Sequence, residues 1–398
     1  MKTKKKALAF FAIYTLFNMA ASFAHPVTPT VIQNLHLPDY MFGLALAVMQ
    51  TTMFLFSPFW GKITSYISSR VSMCITMIGY GCGQILFALA KNMQDVLLAR
   101  LLAGCFTGGA FIASLAYVVN TSPEEKRGKY LTILATIQSV GSAFGYFIGG
   151  MLGVKGTQYS FMAQIAVLMA SGVLFLIVCE SDATKSKEEL EMRTLVRECN
   201  PFAAFAAGKT FINRTWIKLL GICFMSYIGY NAFEQVFNYY IKDQFNLPSS
   251  YNGTIKFAVG IIALIANSTV CMYLINRTDI RKTTIPVLCL ASVFVFATIL
   301  APNLIMFFVM AVLFFALNSI TIPLCQNMCA DRARTGDSNL IMGFYQAMRA
   351  VGGVIGALLA GFLYGSGPKI PFVFSGIAFA LAALCGFAYY SAVRREEK

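Results

Sequence analysis

Charged residues are scarce in this chain. Asp, Glu, Lys and Arg make up 12% of its 398 residues, about half of their share in soluble globular proteins. Tryptophan and histidine occur twice each, and only 17 residues are acidic. In their place, 58% of the residues are hydrophobic, and phenylalanine alone occurs 35 times. This composition excludes an ordinary soluble domain and indicates a membrane protein.

The residue patterns of enzymes and metal sites are also missing. The sequence has no zinc-ligand cluster, phosphate-binding loop, Ser-His-Asp arrangement or appended soluble domain. Its eleven cysteines are scattered without a C-x-x-C pair, and Cys325 and Cys329 lack histidine partners. We therefore expect small buried thiols rather than metal ligands or disulfides. No cofactor and no enzymatic activity are predicted; a membrane-embedded enzyme or sensor is the alternative from another class.

Twelve long apolar stretches dominate the chain. Each is close to the ~20 residues that an α-helix needs to cross ~30 Å of hydrocarbon. The stretches lie at about 8–32, 41–60, 71–90, 97–119, 130–152, 160–179, 217–240, 254–275, 284–301, 304–325, 339–363 and 371–393. The sequence therefore predicts an all-α membrane protein with twelve transmembrane helices.

Basic residues are distributed unevenly over the connections. The odd-numbered connections hold only Lys91, Lys155, Lys242 and Lys369, whereas the even-numbered ones and the two ends of the chain hold most of the others. By the positive-inside rule, both termini are predicted to be cytoplasmic. The net charge of +14 then serves to hold cytoplasmic loops against anionic lipid, and no nucleic-acid partner is expected.

One long polar connection divides the chain into two halves. We predict an N-terminal six-helix bundle at 1–180, a cytoplasmic linker with an amphipathic helix at 181–215, and a C-terminal six-helix bundle at 216–398. The halves repeat: Val140-Gly141 recurs as Val351-Gly352, and Leu37-Pro38 recurs as Leu247-Pro248. Parallel half-repeats around an axis normal to the membrane are typical of one large class of transporters, whose substrate site lies near the midplane. We therefore expect two pseudo-symmetric bundles in a monomeric protein.

Two glycine and proline motifs carry a family resemblance. The fifth stretch has glycines on one face, which permit close helix packing: Gly141, Gly145, Gly149 and Gly150. This pattern resembles the antiporter motif G-x-x-x-G-P-x-x-G-G of the major facilitator superfamily, with Tyr146 in the proline position. In the first stretch, Pro26-Val27-Thr28-Pro29 resembles the P-v-x-P of the twelve-helix drug:proton antiporter branch. Prolines in membrane helices often mark bends beside a cavity.

Two further motifs support the same resemblance. Arg100 opens a segment similar to the family's R-x-x-q-G-x-g, with Asp95 as a possible partner of its guanidinium. The segment from Gly61 to Arg70 is similar to G-x-L-A-D-R-x-G-R-K, but its acidic residue is Ser65 here. The resemblance covers the whole chain and implies alternating access between two bundles. The charge lock of that motif to a neighbouring helix cannot form in the usual way.

Glu234 is the only acidic residue well inside an apolar stretch. A charge at the membrane centre costs roughly 2.5–3.5 kcal/mol on insertion scales, so it needs a reason. Helical spacing predicts that polar residues of the seventh stretch share its face and form a cavity wall: Tyr227, Tyr230, Asn231 and Asn238. We predict Glu234 as the proton-coupling carboxylate, with a buried structural partner of an arginine as the alternative.

Basic and amide groups of other stretches complete the predicted site. Arg349 follows Tyr345 and Gln346 by one turn, and Gln138 occupies its repeat position in the first half. Because arginine stays protonated, Arg349 is predicted to bind an anionic group or to hold Glu234. Asn18 and His25 share a face of the first stretch. His25 is the second candidate for proton transfer, and a hydrogen-bonded cavity histidine is the alternative.

These observations predict a secondary transporter of the major facilitator superfamily in the plasma membrane of a bacterium. We expect a proton-coupled exporter of small amphipathic or drug-like compounds, because the resemblance is to antiporters and the predicted pocket is mainly apolar. A proton-coupled importer of a sugar, nucleoside or organic anion is the alternative. The seventh stretch, Asn231 to Asn238, favours it, because it is similar to oligosaccharide:proton symporters.

Overall fold

The computed structural model describes residues 4–183, 199–208, 212–333 and 338–396. Helices account for nearly all of this part of the chain. They are α1 (Lys4–Ala21), a 3-10 turn (His25–Val27), α2 (Thr28–Asn34), α3 (Met41–Ile67), α4 (Ser69–Ala88), α5 (Met93–Thr121), α6 (Glu124–Lys155), α7 (Thr157–Val178), α8 (Ala203–Gly208), α9 (Arg214–Asp243), α10 (Ser249–Ala266), a π-helical turn (Asn267–Cys271), α11 (Met272–Arg277), α12 (Ile280–Ile299), α13 (Leu304–Ala333), α14 (Ser338–Tyr364) and α15 (Ile370–Glu396).

Eleven helical segments within the described residues are long and apolar enough to cross a membrane. The segment of the predicted seventh span, α9, is not among them, although its 30 residues would reach about 45 Å. Its polar side chains lower its hydropathy. The protein is therefore a multi-pass helical membrane protein, while twelve crossings and cytoplasmic termini stay predictions.

The first span is interrupted at the predicted proline motif. α1 ends at Ala21, and a 3-10 turn with Pro26 near its start leads into α2, where Pro29 occupies one of the first two positions. Both prolines are buried. Proline lacks a backbone N–H, so it fits the start of a new helical segment but not the interior of a continuous helix.

Packing divides the chain into two compact units. Unit 1 contains Met1–Leu37, Val48–Pro201 and Ile241–Gly260. Unit 2 contains Pro38–Ala47, Phe202–Tyr240 and Ile261–Lys398. The start of α3 thus packs with unit 2, and α10 starts in unit 1. Most of the charged stretch of the predicted linker, where an amphipathic helix is expected, lies outside the described residues.

The two units share the same pattern of helix packing. In unit 1, α4 packs against α5 and α7; in unit 2, the helices at the repeat positions do the same, with α12 against α13 and α15. Aromatic rings fill both interiors. Phe10 and Tyr117 stack in unit 1, with ring centroids 4.9 Å apart, and Phe233 contacts Phe314 at 4.1 Å in unit 2.

Glycines let helix backbones touch. A Cβ atom added to Gly149 of α6 would lie 2.0 Å from the carbonyl oxygen of Phe23, and one added to Gly145 would lie 2.2 Å from that of Met19. No side chain fits such a contact. Two glycines at equivalent repeat positions make close contacts with distant helices. Gly253 of α10 packs on α6 in unit 1, and Gly43 of α3 packs on α14 in unit 2.

The connection between α3 and α4 contains a strained residue. Ser68 has φ 73° and ψ 152°, a combination that is essentially restricted to glycine. The family motif has its second glycine at this position. The Asp182 carboxylate accepts hydrogen bonds from the backbone N–H of Ser69 (2.7 Å) and from its hydroxyl (2.6 Å). These two hydrogen bonds hold Ser69, the residue after Ser68, at the start of α4.

We expect Ser68→Gly to raise the apparent Tm of the purified protein. Relief of backbone strain, about 1–3 kcal/mol, outweighs the roughly 0.5–1 kcal/mol of flexibility that glycine adds to the unfolded chain. The matched control, Ser65→Gly inside α3, should lower the Tm, because it adds glycine to a helix without relieving strain. A lower Tm for Ser68→Gly would show that the backbone at Ser68 is not strained.

Alanine substitutions at two glycines of α6 should act in opposite directions. Gly149→Ala is expected to destabilise the fold by about 1–3 kcal/mol, because its methyl group overlaps the backbone at Phe23. Gly128→Ala meets no atom within 4 Å and should stabilise the helix by up to about 1 kcal/mol. Thermal unfolding in detergent measures both changes. Equal changes in Tm for the two variants would show that the close contact of Gly149 with Phe23 does not restrict the side chain at this position.

Candidate functional site

The polar residues of α9 are placed by contacts with α14. The Asn231 side-chain amide donates to the backbone carbonyl of Tyr227 at 3.0 Å, and both residues are buried. A Cβ added to Gly356 of α14 would lie 3.0 Å from the Asn231 Cβ, and one added to Gly352 would lie 3.2 Å from that of Tyr227. Small residues of α14 therefore make room for the polar side of α9.

Glu234 lies on the partly exposed side of α9. Its side chain is partly exposed, whereas Phe233 and Phe237 are fully buried among aromatic rings of α13 and α15. Tyr230 meets Phe315 edge to face, with the centroids 6.4 Å apart. Asn238 is buried, and its side-chain oxygen has no hydrogen-bond donor. The aromatic side chains of α9 are packed in the interior of unit 2, and the Glu234 carboxylate lies on the partly exposed side of the same helix.

Arg349 of α14 lies over the aromatic rings of unit 2. Its guanidinium carbon is 4.4 Å from the centre of the Tyr227 ring and 5.7 Å from that of Tyr345. Its Nη1 donates to the Gln346 side chain at 3.2 Å, and its Nε has no acceptor. Among the described residues, no carboxylate lies within 4.0 Å of its nitrogens. Predicted substrate residues are thus brought together around a cation that has spare donors.

Three thiols lie behind this cluster. Cys223 of α9 is 3.9 Å from Cys329 of α13 between the sulfur atoms, and Cys325 is one turn away. All three are buried and reduced. A narrow crevice beside them is lined by Ser226, Tyr227, Tyr230, Asn318, Thr321, Ile322 and Cys325. Hydroxyl, amide and thiol groups therefore border the ring on which Arg349 lies.

In unit 1, the predicted residues occupy α1 and α6. Asn18 is buried and donates to the Tyr14 backbone carbonyl at 2.7 Å, and its Cβ lies 3.0 Å from the position of a Cβ added to Gly141. Gln138 is exposed. Gly150 accepts a hydrogen bond from the Ser249 hydroxyl at 2.9 Å. The glycine motif therefore serves close packing of α6 against α1 and α10.

The residue that replaces the motif's proline has a contact of its own. The Tyr146 ring stacks on His25 at 5.4 Å with an angle of 13° between the planes. The ammonium group of Lys256, which is buried, lies 5.9 Å from the centre of the same ring. The sequence marked Tyr146 only as a departure from the family, and its position beside two basic groups was not predicted.

Arg100 is buried without the predicted carboxylate. Asp95 instead accepts from the backbone N–H of Lys91 at 2.9 Å, at the start of α5. The Arg100 guanidinium donates to the Thr28 hydroxyl at 3.2 Å and lies over the Phe87 ring, 4.1 Å from its centre. The expectation of an Asp95 partner was wrong because that carboxylate accepts from a backbone N–H at the start of the helix.

At the other end of unit 1, a different acidic residue joins the degraded motif. The Ser65 hydroxyl bonds to the Lys62 carbonyl within its own helix, at 2.7 Å. Asp182, which follows α7, holds the start of α4 and accepts from Asn120 of α5 at 3.0 Å. Gly61 is exposed, and Arg70 donates to the Cys179 carbonyl at 3.4 Å. Asp182 thus links three helix ends.

A cavity of about 770 Å³ lies away from these clusters, at the ends of α11, α12, α13 and α15. Ion pairs line it: Arg332 with Glu396 at 2.8 Å, and Arg281 with Asp279 at 3.1 Å. The Thr215 hydroxyl also donates to Glu396, at 2.6 Å. Through its contacts with Arg332 and Thr215, Glu396 connects the ends of α9, α13 and α15.

The chain belongs to the Major Facilitator Superfamily, whose family model matches residues 9–320 and 268–398. Members of this family are transporters, not enzymes. Solved structures show the same fold at low identity. A bacterial homologue of the human lysosomal transporter Spinster has a TM-score of 0.75 at 14% identity, with 98% of this chain and 97% of that chain covered. The nucleoside transporter NupG has a TM-score of 0.71 at 14% identity, with 98% and 99% covered.

Among curated proteins, the Staphyloferrin B transporter of Staphylococcus aureus is 33% identical over 42% of this chain, and the match spans only 39% of that protein. Multidrug resistance protein 2 of Bacillus subtilis is 20% identical, with 88% of this chain and 86% of that protein covered. The quinolone resistance protein NorA of Staphylococcus aureus is 22% identical, with 61% and 60% covered. The chain is therefore similar to drug efflux transporters over most of its length.

Substitutions of Arg349 should weaken substrate binding in a graded order. Arg349→Lys keeps the charge but loses the planar stacking on Tyr227, whereas Arg349→Ala removes both. We expect an affinity loss of about 10-fold or more for Arg349→Ala, as for a lost charge-assisted hydrogen bond, and a smaller loss for Arg349→Lys. Binding to purified variants measures this.

Arg214→Ala provides the matched control, because Arg214 is exposed at the start of α9, and expression level controls for folding. Wild-type affinity in both Arg349 variants would mean that Arg349 serves packing or topology instead.

Proposed function

We propose that the protein is a proton-coupled secondary transporter that exports small amphipathic or drug-like compounds by alternating access. The observation that carries the proposal is the cluster in unit 2, where an intramembrane arginine with spare donors lies on two tyrosine rings. Its aromatic surface suits an apolar substrate body, and its few polar groups suit orientation. Similarity to Multidrug resistance protein 2 and NorA over most of the chain supports export.

Proton coupling is assigned to Glu234, with His25 as the second candidate. A carboxylate inside a membrane protein can gain and lose a proton when its surroundings change, and no other acidic residue lies as deep in an apolar stretch. In this scheme the protonated and ionised forms favour different states of the transport cycle. Substrate contacts are assigned to Arg349 and its neighbours in unit 2, and to Asn18 and Gln138 in unit 1.

The two six-helix bundles, separated near residues 181–215, would act as the moving bodies of a monomer in the bacterial inner membrane, with both termini cytoplasmic. Motif residues Arg100, Gly61 and Arg70 would contribute to gating. The glycines of α6 would do so through close packing.

Import of a sugar, nucleoside or organic anion is the second candidate. It is favoured by Tyr146 in the position of the antiporter proline, and by the resemblance of Asn231–Asn238 to oligosaccharide:proton symporters. Two proteins of the same fold are the nucleoside transporter NupG and the human organic anion transporter MFSD10.

The direction of proton movement distinguishes the two candidates. In proteoliposomes that contain a pH-sensitive dye, substrate entering by antiport drives protons out and raises the internal pH, whereas symport lowers it. We would test amphipathic cations, anions and neutral compounds beside sugars and nucleosides, with protein-free vesicles as the control for passive permeation.

Glu234→Gln should abolish pH-driven transport and leave substrate counterflow at least partly intact. The amide cannot carry a proton, but it retains similar size and hydrogen bonding, so exchange without a gradient can continue. Uptake under an imposed pH gradient and counterflow in its absence measure the two processes separately. Glu124→Gln is the matched control, because Glu124 is exposed at the start of α6. A Glu234→Gln variant that still concentrates substrate would place coupling elsewhere, first at His25.

A further inference from the structure

The charges inside the predicted spans do not balance. Arg100, Lys256 and Arg349 are basic, and Glu234 is the only deep acidic residue. Among the described residues, neither Arg100 nor Arg349 has a carboxylate within 4.0 Å of its guanidinium nitrogens. A charged side chain without an ionic partner is costly in the membrane, so an anion that binds from outside these helices would stabilise either arginine.

Arg100 is the most deeply buried arginine among the described residues. Only 5% of its surface is exposed. Its guanidinium uses one nitrogen for the Thr28 hydroxyl and one for a weak contact with the Met49 sulfur at 3.6 Å, and its Nε has no acceptor. Within the described ranges no carboxylate lies within 4.0 Å of it. A guanidinium has five N–H donors in a planar fork that fits a carboxylate.

A second buried polar group faces the same region without a partner. Gln84 of α4 is 1% exposed, and neither its side-chain nitrogen nor its oxygen has a hydrogen-bond partner. It lies one turn before Phe87, whose ring lies under the Arg100 guanidinium at 4.1 Å from the ring centre. Helical spacing therefore puts the Gln84 amide on the face of α4 that meets Arg100.

The depth of this region suits a substrate site. Arg100 is seven residues from the start of α5 and Tyr146 is nine residues from the end of α6, or about 10–14 Å along each helix axis. His25, Thr28 and Tyr146 are partly exposed. The Thr28 hydroxyl that accepts from Arg100 therefore belongs to a residue that is not fully enclosed by unit 1.

We propose that Arg100, with Thr28 and Gln84, forms a subsite for the carboxylate group of an amphipathic organic anion. The subsite rests on the proposed transport function and specifies its substrate class. The carboxylate accepts from the Nε and a terminal nitrogen of Arg100, and the Gln84 amide donates to the same group. The apolar body of the anion lies along the aromatic rings beside His25 and Tyr146.

The test is equilibrium binding to the full chain in lipid nanodiscs with matched acids and uncharged amides: benzoate with benzamide, and cinnamate with cinnamamide. We expect the wild type to bind at least one acid about 10-fold or more tightly than its amide. Arg100→Gln should remove this preference, and Gln84→Met should weaken acid binding several-fold. Lys91→Gln, which removes an exposed positive charge from the loop before α5, should leave the preference unchanged.

Gln84→Met also separates binding from folding. Because it replaces an unpaired buried amide with an apolar side chain of similar size, the Tm of the ligand-free protein should not fall. The subsite is refuted if the wild type does not prefer either acid, or if folded Arg100→Gln keeps the preference. If Arg100→Gln does not fold, wild-type acid affinity in Gln84→Met refutes it. No proton gradient is applied, so this result is independent of whether Glu234 couples transport to protons.

Discussion

Contact between helix backbones at glycine is the constraint on which the rest of the structure depends. In a lipid environment, apolar side chains gain little by leaving the solvent, so close van der Waals packing must hold helices together. Gly145 allows α6 to touch the end of α1 at Met19, and Gly149 allows it to touch Phe23 within the break of the first span. Because His25 and Thr28 lie directly beyond that contact, the glycine face of α6 also sets where these functional candidates stand.

Charge placement follows from the same packing. Arg100 and Arg349 are held against aromatic rings, Phe87 and Tyr227, rather than against carboxylates. An aromatic face offers a cation a weak electrostatic partner that leaves N–H donors available. A carboxylate partner would occupy the donors and neutralise the charge. Two arginines that rest on rings therefore retain N–H donors for the anionic ligands proposed above.

Sequence patterns predicted the membrane class, the family, the glycine contacts and the placement of Tyr345 and Gln346 near Arg349, because these depend on hydropathy and helical spacing. They failed where distant segments meet. Nothing local indicated that Asp182 would hold the start of α4 while Asp95 would accept from a backbone N–H. Likewise, Gln84 could have been noticed as an amide within an apolar stretch, but only the packing of α4 on α5 shows which cation it faces.

The long helix α9 does not qualify as a membrane span by hydropathy, and it carries Glu234, the carboxylate that the sequence places deepest in an apolar stretch. Ala232, Phe233, Val236 and Phe237 are fully buried, so one face of the helix is enclosed by protein instead of lipid. Its insertion then depends on the helices that surround it rather than on its own transfer free energy. The proposed transport cycle uses this arrangement, because a helix that was apolar throughout would have no group with which to select a substrate or carry a proton.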